Sequence, residues 1–182
     1  STDSQAIADV AIYYGAKVPF LRPAQLATDT SKIIDSMLYT IDTLKESSNT
    51  YDYVILLQPT QPIRIPKHLI EAIHSIVDSN VPSLVSVCPV EEHPILMRTI
   101  DSNGFLNSIL QVNSTVRRQD FPDVYKVNGS IYINKIDDNF NSFTSLNDNI
   151  YPYIMERLYS IDIDTLEDLA RATNFIKEHN LC

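Results

Sequence analysis

Glycine is scarce in this 182-residue sequence, which contains only Gly15, Gly104 and Gly129. Loops that cradle phosphates need closely spaced glycines, because only a residue without a side chain lets the backbone approach phosphate oxygens. The three glycines are far apart, so the sequence has neither a dinucleotide-binding fingerprint nor a Walker loop. A phosphorylated ligand would have to be held in another way.

Positive charge is scarce as well. The chain has 14 lysines and arginines against 23 acidic residues, which gives a formal net charge of −9. Binding to a polynucleotide depends on clustered cations that neutralise phosphates, so this composition argues against a nucleic-acid polymer as a partner. Any anionic ligand is therefore expected to meet a few local cations.

Long hydrophobic runs and a signal-peptide pattern are also missing. No apolar stretch approaches the roughly 18 residues that a membrane-spanning helix needs. With 44% hydrophobic and 20% charged residues, the composition is typical of a globular protein, and the length favours one domain over residues 1–182. We expect a cytoplasmic protein without a membrane partner.

The two cysteines do not indicate a metal or redox centre. Cys88 and Cys182 lie far apart in the sequence and lack the paired spacing of a zinc site or a redox motif. We expect Cys88 to be a buried thiol and Cys182 a thiol at a frayed chain end.

The hydrophobic pattern alternates between helices and strands, which predicts an α/β fold. The apolar segments 51–58 and 84–90 are typical of parallel strands buried on both faces. Capped helical patterns begin at Asp3 or Ser4 and within 28–47, and another helix over 66–79 has proline in its first turn. The apolar residues expected to face inward from this last helix are Leu69, Ile70, Ile73, Ile76 and Val77.

The pattern changes after Pro89. The segment EEHPILMRTIDSNGFLNSIL (91–110) has an Asn-Gly pair between two apolar runs, which predicts a β-hairpin. We expect the hairpin to belong to an inserted arm at about 91–128. A strand is predicted at SIYIN (130–134), and an irregular stretch follows to about residue 149.

Near the C-terminus, SIDID (160–164) places two aspartates one residue apart. Alternate side chains of a strand share a face, so Asp162 and Asp164 are expected to point the same way where a strand leads into the last helix. Ligands of open α/β sheets bind at such strand ends. Two interpretations follow: the pair holds a hard cation such as Mg²⁺, or one carboxylate is solvated and the other interacts with the helix N-terminus.

Three other segments carry candidate binding groups. QPTQPIR (58–64) presents Gln58, Thr60 and Arg64 in a proline-stiffened loop, which is either a rigid binding loop or an ordinary connection with a solvated arginine. In RRQDFP, Arg117 and Arg118 can pair bidentately with carboxylate or phosphate, although surface charge is the simpler interpretation. In VNGSIYIN, the pair Asn128-Gly129 predicts a turn, and Tyr132 in the following strand is ordinarily a core residue.

Together with their neighbours these segments form an ordered set of seven: STDS, FLRPAQLATDT, LLQPTQPIR, VSVCPVEEHP, RRQDFP, VNGSIYIN and SIDIDTLEDL. From Ser1 to about Ile176, this set closely resembles the acylneuraminate cytidylyltransferases, also called CMP-sialic acid synthetases. The resemblance implies a Rossmann-like nucleotidyltransferase fold, with three αβα layers, a mostly parallel sheet and a dimerisation arm. It also implies a homodimer that couples CTP to a nonulosonic acid and releases pyrophosphate, for the synthesis of cell-surface polysaccharide.

The resemblance assigns roles on the nucleotide side of the site. Asp162 and Asp164 match the metal-binding aspartates of the family, which would hold Mg²⁺ on the CTP phosphates during catalysis. Arg22 and Asp29 lie in segments that frame the nucleotide in relatives. The run Ser31-Lys32-Ile33 departs from the small residues that contact cytidine in the family.

Roles on the sugar side also follow from the resemblance. Gln58 matches a sugar-contacting position, and Arg118 matches an arginine of the dimer arm whose fork suits the sugar carboxylate. Asn128 and Tyr132 match polar positions that line the same pocket. Leu96 and Lys126 depart from the family, standing where at least some relatives carry lysine and where arginine is common. The sugar itself is sialic acid or, alternatively, legionaminic or pseudaminic acid.

Family members reach the STD motif only after a strand, a loop of the form RxGSKG, a helix and a second strand. This chain starts at the STD motif, so we expect either a truncated homologue or a fragment whose front part is on another polypeptide or removed. The alternative function is a catalytically inactive dimerising or sugar-binding module. Without the N-terminal strands, we expect the chain to fold only with a rearranged sheet or with its apolar faces covered by another subunit.

Overall fold

A computed structural model describes residues 1–112, 115 and 117–181 and shows an α/β fold. The helices are α1 (Gln5–Tyr13), α2 (Ile33–Glu46), α3 (Pro66–Ser79) and α4 (Leu166–Glu178). The strands are β1 (Tyr53–Leu56), β2 (Ser83–Pro89), β3 (Arg98–Ile100), β4 (Leu106–Ser108), β5 (Tyr125–Lys135) and β6 (Tyr151–Ile154). Among the described residues, no helix has the length and apolar character needed to cross a membrane.

Four strands form one mixed sheet in the order β1-β5-β2-β6. Strands β2 and β6 are parallel, with Leu84 opposite Tyr151. The two inner strands carry the most deeply buried side chains, including those of Leu84, Ile131 and Ile133, which are at most 1% exposed. The predicted α/β class is confirmed, while the three-layer arrangement stays a prediction.

The chain divides into two compact units, and the expectation of a single domain stays a prediction. The first unit comprises residues 1–54 and 134–149, with α1 and α2. Its two segments are joined by the hydrogen bond that the Ile136 N–H donates to the Asp52 carbonyl at 2.8 Å. The second unit comprises residues 55–133 and 150–182 and contains α3, α4, the hairpin and most of the sheet.

The starts of α1 and α3 agree with the signals in the sequence, whereas α2 begins after Lys32, which makes no side-chain capping hydrogen bond. The Ser4 hydroxyl accepts from the Ile7 N–H ahead of α1, and Pro66 opens α3, where its missing N–H would have had no helical partner. Gly15 follows α1 with a φ of +92°, as expected for a helix stop. The predicted helices are therefore confirmed.

The strand predicted at SIDID is wrong, because residues 160–163 have no regular secondary structure. The last strand is β6, which lies earlier in the chain and contains Pro152. Strand β6 is at the edge of the sheet, where a residue without an N–H is tolerated because the outer side of the strand needs no donor. Strand β1 is the other edge strand, and its Ile55 is 36% exposed, so the strand is not buried on both faces as predicted.

The predicted inward face of α3 is also wrong in part. Ile76 is buried, but Ile70, Ile73 and Val77 are 40–56% exposed. The buried stripe runs through His68, Ala72 and Ile76, because the helix packs through this narrower face. The buried stripe lies at one edge of the apolar face of the helix, so the periodicity of the apolar residues alone could not select it. Whether another subunit covers the exposed face stays a prediction.

The predicted hairpin is confirmed by strands β3 and β4, which pair antiparallel. Gly104 has a φ of +83° at its turn, and the Asp101 carboxylate accepts from the Phe105 and Asn103 N–H groups at 3.0 and 2.9 Å. These hydrogen bonds, led by that of Phe105, lower the pKa of Asp101. Cys88 is buried as expected, while Cys182 lies outside the described residues.

A buried histidine stabilises the start of α3 in its neutral form. The His68 Nδ1 accepts from the Ile65 N–H at 3.4 Å, and the ring meets Tyr159 edge-on at 4.7 Å. Burial lowers the pKa of His68, and the opposing charges of Glu71 and Glu156 offset this only in part. Protonation would convert the Nδ1 acceptor into a donor that faces an N–H.

We predict a loss of stability on mild acidification that depends on His68. Because its pKa is lower in the folded than in the unfolded state, its contribution is complete above about pH 6.5 and is lost as pH falls through the folded pKa. Urea unfolding at a series of pH values should show this loss in the wild type and a smaller one in His68→Gln. His74→Gln, an exposed histidine of the same helix, should retain the acid-side loss that His68 causes; equal slopes in all three proteins would contradict the prediction.

Candidate functional site

The proline loop after β1 is held from inside by Arg64. Its Nη1 donates to the carbonyl oxygens of Gln61 and Ser130 at 2.6 and 3.0 Å, and its Nη2 donates to that of Gln58 at 3.1 Å. The guanidinium is half-buried, and burial lowers its pKa, although arginine stays protonated. The interpretation of Arg64 as a solvated side chain is therefore wrong, since the residue fastens the loop to β5.

Gly129 brings the loop and β5 into close approach. Its φ is +74°, and a Cβ at this position would overlap the Oε1 of Gln58. The same Cβ would lie 3.4 Å from Cγ of Gln61. The carboxamide of Gln58, the predicted sugar-contacting residue, thus lies directly across Gly129.

Two buried oxygens beside this contact have no hydrogen-bond partner among the described residues: Oε1 of Gln61 and Oγ of Ser130. Ser130 is fully buried. Such a group gives up hydration without replacing it, which costs about 1–3 kcal/mol. Sequence reasoning missed both oxygens, because burial without a partner has no local signal.

We predict that Ser130→Ala raises the free energy of unfolding by about 1 kcal/mol, because the variant removes an unsatisfied buried hydroxyl. Ser86 provides the matched control. Its Oγ donates to Asn128 at 2.6 Å and accepts from the Ile131 N–H at 2.8 Å. Ser86→Ala should therefore lower the free energy of unfolding by about 1–3 kcal/mol. Urea denaturation of both variants checks the pair, and a loss of stability in Ser130→Ala would contradict the prediction.

Asn128 is buried, and its side-chain groups have partners within the protein. Its Oδ1 accepts from Ser86 and from the Ser130 N–H at 3.2 Å, while its Nδ2 donates to Ser160 at 2.8 Å. In this arrangement Asn128 joins β2 and β5 to the segment just before Asp162. Its role in lining a sugar pocket stays a prediction.

The two aspartates of SIDID lie beside the same loop. Both are exposed, and neither carboxylate has a hydrogen-bond or ion-pair partner in the described part of the chain. Between them, the Ile163 N–H donates to the Thr60 carbonyl at 2.9 Å, which ties the aspartate segment to the proline loop. Burial and, secondarily, the charge of Asp162 raise the pKa of Tyr132, so Tyr132 and Asp162 are also close.

The alternative role for this pair, an interaction with the N-terminus of α4, is taken by other residues. The Thr165 hydroxyl accepts from the Asp168 N–H at 3.2 Å, and the Asp168 carboxylate accepts from the Thr165 N–H at 3.0 Å. These bonds form a capping box, and the hydrogen bond from the Thr165 side chain is the largest cause of the lowered pKa of Asp168. Asp162 and Asp164 thus remain available to a ligand.

Arg118 lies apart from these residues in the sequence but in the same unit. It lines a cleft of about 270 Å³ with Glu91, His93 and Tyr125. Its side chain is exposed and has no partner among residues 1–112, 115 and 117–181, whereas the neighbouring Arg117 pairs with Asp120 at 2.7 Å. An unpaired guanidinium in a cleft is suited to a carboxylate or phosphate.

Arg22 and Asp29, the predicted nucleotide-framing residues, belong to the first unit. The Arg22 guanidinium lies 3.5 Å from the Asp3 carboxylate, and its backbone N–H donates to the Thr2 carbonyl at 2.8 Å. Its Nε is buried and has no hydrogen-bond partner in the described residues. Asp29 is exposed. Their roles toward a nucleotide stay predictions.

The structure thus brings some of the predicted site residues together, but not all of them. Gln58, Asn128, Tyr132 and Asp162 converge through the proline loop, β5 and the SIDID segment. The turn predicted at Asn128-Gly129 is wrong, because both residues lie within β5. Sequence reasoning did not add Gly129 to the site, and the signal that could have done so is a glycine inside a strand, which often marks a close backbone approach.

Comparison with known proteins finds relatives that match most of this chain and are named as CMP-sugar synthases or cytidylyltransferases. The chain is 39% identical over 175 residues to CMP-N,N'-diacetyllegionaminic acid synthase of Legionella pneumophila, covering 93% of this chain and 73% of the relative. It is 30% identical to N-acylneuraminate cytidylyltransferase of Streptococcus agalactiae, covering 92% of this chain but only 40% of that enzyme. No protein-family model matches the chain.

A solved structure supports the fold. The chain resembles 4-diphosphocytidyl-2C-methyl-D-erythritol synthase of Anaerococcus prevotii with a TM-score of 0.59, covering 96% of this chain and 77% of that one. Sequence identity is 14%, so this likeness concerns the fold alone.

Proposed function

Because this chain belongs to the acylneuraminate cytidylyltransferase family of nucleotidyltransferases, we propose that it transfers the cytidylyl group of CTP to a nonulosonic acid. The observation that carries the proposal is the 39% identity to CMP-N,N'-diacetyllegionaminic acid synthase over 93% of this chain. The free carboxylates of Asp162 and Asp164 beside the Gln58 loop support it.

In the proposed reaction, the anomeric hydroxyl oxygen of the sugar forms a bond to the α-phosphorus of CTP. The bond from this phosphorus to the bridging oxygen breaks, pyrophosphate leaves and the hydroxyl proton passes to solvent. Gln58 and Tyr132 orient the sugar, and Asn128 fixes β5, the strand that carries Tyr132. Arg22 and Asp29 frame the nucleotide. The role of the protein is chiefly to position the two substrates and to counter their negative charge.

The residues present fit a magnesium ion. Mg²⁺ is commonly held by one or two carboxylates together with water and substrate phosphate oxygens. Asp162 and Asp164 are exposed, and neither carboxylate forms an ion pair with a lysine or arginine among the described residues. Among the described residues no group of three or more metal-ligating side chains converges, so these two would hold the ion together with CTP. When bound, Mg²⁺ would neutralise charge on the phosphates.

The proposed sugar is a legionaminic or sialic acid. The higher identity to the legionaminic acid synthase than to the N-acylneuraminate enzyme, 39% against 30%, favours a diacetylated legionaminic acid. Pseudaminic acid is the further alternative.

The proposal includes a homodimer formed through the arm. The hairpin exposes Ile100, Phe105 and Leu106, each 69–72% exposed, and such a patch is typical of an interaction surface. The unpaired Arg118 lies in the same arm, where it would meet the carboxylate of a sugar. A cytoplasmic location and a product used for cell-surface polysaccharide remain predictions.

The test is a pyrophosphate-release assay with the full gene product, CTP and Mg²⁺. The three sugars to be compared are N,N'-diacetyllegionaminic, N-acetylneuraminic and pseudaminic acid. We expect release with at least one sugar and the highest kcat/KM with the legionaminic acid. No release with any of them would overturn the proposed activity.

A further inference from the structure

Arg64 is a half-buried cation without a carboxylate partner. The ion pairs of the described residues involve other cations, and no acidic side chain lies within ion-pair distance of Arg64. Burying a charge without a counter-ion is costly. The three hydrogen bonds of the Arg64 guanidinium offset part of this cost and hold the backbone segments that accept them. All three acceptors are backbone carbonyls.

The positions of these carbonyls in the chain show which backbone segments the guanidinium holds together. One belongs to Gln58 itself, and another belongs to Ser130, the neighbour of Gly129. Arg64 therefore spans the two sides of the contact in which the Gln58 carboxamide lies across Gly129. Because the guanidinium is planar and rigid, it sets the distance between these two backbone segments.

The loop has few other means of holding this geometry. Pro59 and Pro62 lack an N–H and cannot donate. Within the loop, the backbone hydrogen bonds run from Gln61 N–H to the Gln58 carbonyl at 3.2 Å and from Arg64 N–H to the Pro62 carbonyl at 2.9 Å. Neither of these bonds reaches β5, whereas the bond from Arg64 to Ser130 does.

We propose that Arg64 is a positioning residue for sugar recognition, which acts by holding the Gln58 backbone at a fixed distance from Gly129. The proposal rests on the proposed function, because it assigns Gln58 to the sugar. The proposal predicts different effects on the two substrates. Loss of the guanidinium should weaken sugar binding and leave CTP binding unaffected.

The test compares Arg64→Lys and Arg64→Ala in steady-state pyrophosphate release. Lysine keeps the charge but has no planar fork, so we expect the sugar KM to rise about tenfold with the CTP KM within about twofold. The alanine variant should lose more, and guanidinium chloride at concentrations below those that unfold the protein should restore part of the sugar affinity. The matched control is Arg98→Lys, since Arg98 also donates to two carbonyls, those of Ile95 and Met97 at 2.8 Å.

The outcomes separate this inference from the proposed function. A folded Arg64→Lys protein with an unchanged sugar KM, or with equal increases in both KM values, would overturn the inference while the activity stands. If the wild type released no pyrophosphate with any sugar, the proposed function would fail. Saturation-transfer NMR would then decide the positioning role, which requires sugar binding by the wild type and weaker binding by both Arg64 variants.

Discussion

Replacing Asp162 and Asp164 together by asparagine should reduce pyrophosphate release about 10²–10³-fold, the usual effect of losing a preorganised charge contact in an active site. Asparagine keeps the size of each side chain and removes its charge, so the Mg²⁺–CTP complex loses its anionic anchor. Both side chains are exposed and unpartnered among the described residues, so the substitutions should leave the fold intact. The measurement is kcat/KM for CTP across a series of Mg²⁺ concentrations.

Glu167→Gln is the matched control for this variant. It removes an acidic side chain from the first turn of α4, three residues after Asp164, and should leave the activity within about twofold, as expected of a surface substitution. Circular dichroism of both proteins would show whether the helix is retained. Activity of the double variant close to that of Glu167→Gln would contradict the assignment of the aspartate pair.

Placing a methyl group on Gly129 should both destabilise the protein and weaken its binding of the sugar. Gly129→Ala faces the strain of a positive φ, about 1–2 kcal/mol, and in addition displaces the Oε1 of Gln58. We expect a loss of roughly 2–4 kcal/mol in the free energy of unfolding. The sugar KM should rise by about tenfold or more because Gln58 can no longer keep its position. Urea unfolding and steady-state kinetics measure the two effects.

Gly104 separates backbone strain from the displacement of Gln58. It also has a positive φ, +83° against +74° at Gly129, but a Cβ there would meet nothing within 4 Å. Gly104→Ala should therefore show only the strain, with an unchanged sugar KM. Equal losses of stability and equal KM values in the two variants would mean that the approach of Gln58 to Gly129 contributes neither to stability nor to sugar binding.

The parts of the fold that could be predicted from the sequence are those determined by neighbouring residues. Ser4 and Pro66 mark helix starts because capping depends on a single turn, and the Asn103-Gly104 pair marks a hairpin because its turn needs a positive φ. The buried strand β2 is evident from its continuous apolar run. These features need no knowledge of distant contacts.

The errors arose where tertiary packing decides. The SIDID segment alternates like a strand, but its backbone is held by the bond from Ile163 to Thr60 rather than by a sheet. The exposed Ile70 and Ile73 of α3 follow the helical period but lie outside the stripe that packs. In both cases the pattern is present in the sequence, but the neighbour that packs against the segment is distant in the chain and has no local signal.

The candidate site shows the same division. The resemblance to a known family selected Gln58, Tyr132 and Asp162, and the structure brings these residues together from three separate segments. The resemblance could not indicate the bond from Arg64 to the Ser130 carbonyl or the approach of Gln58 to Gly129, because both join residues about 70 positions apart. Such contacts have no signature in local sequence.

The central claim, cytidylyl transfer to a nonulosonic acid, is tested most directly by the product itself. The full gene product would be incubated with CTP, Mg²⁺ and N,N'-diacetyllegionaminic or N-acetylneuraminic acid, and the mixture analysed by mass spectrometry. The account predicts a CMP-sugar that forms in step with pyrophosphate and forms about 10²–10³-fold more slowly with Asp162→Asn/Asp164→Asn. Sugar and CTP recovered unchanged, from a folded protein and with every sugar tried, would contradict it.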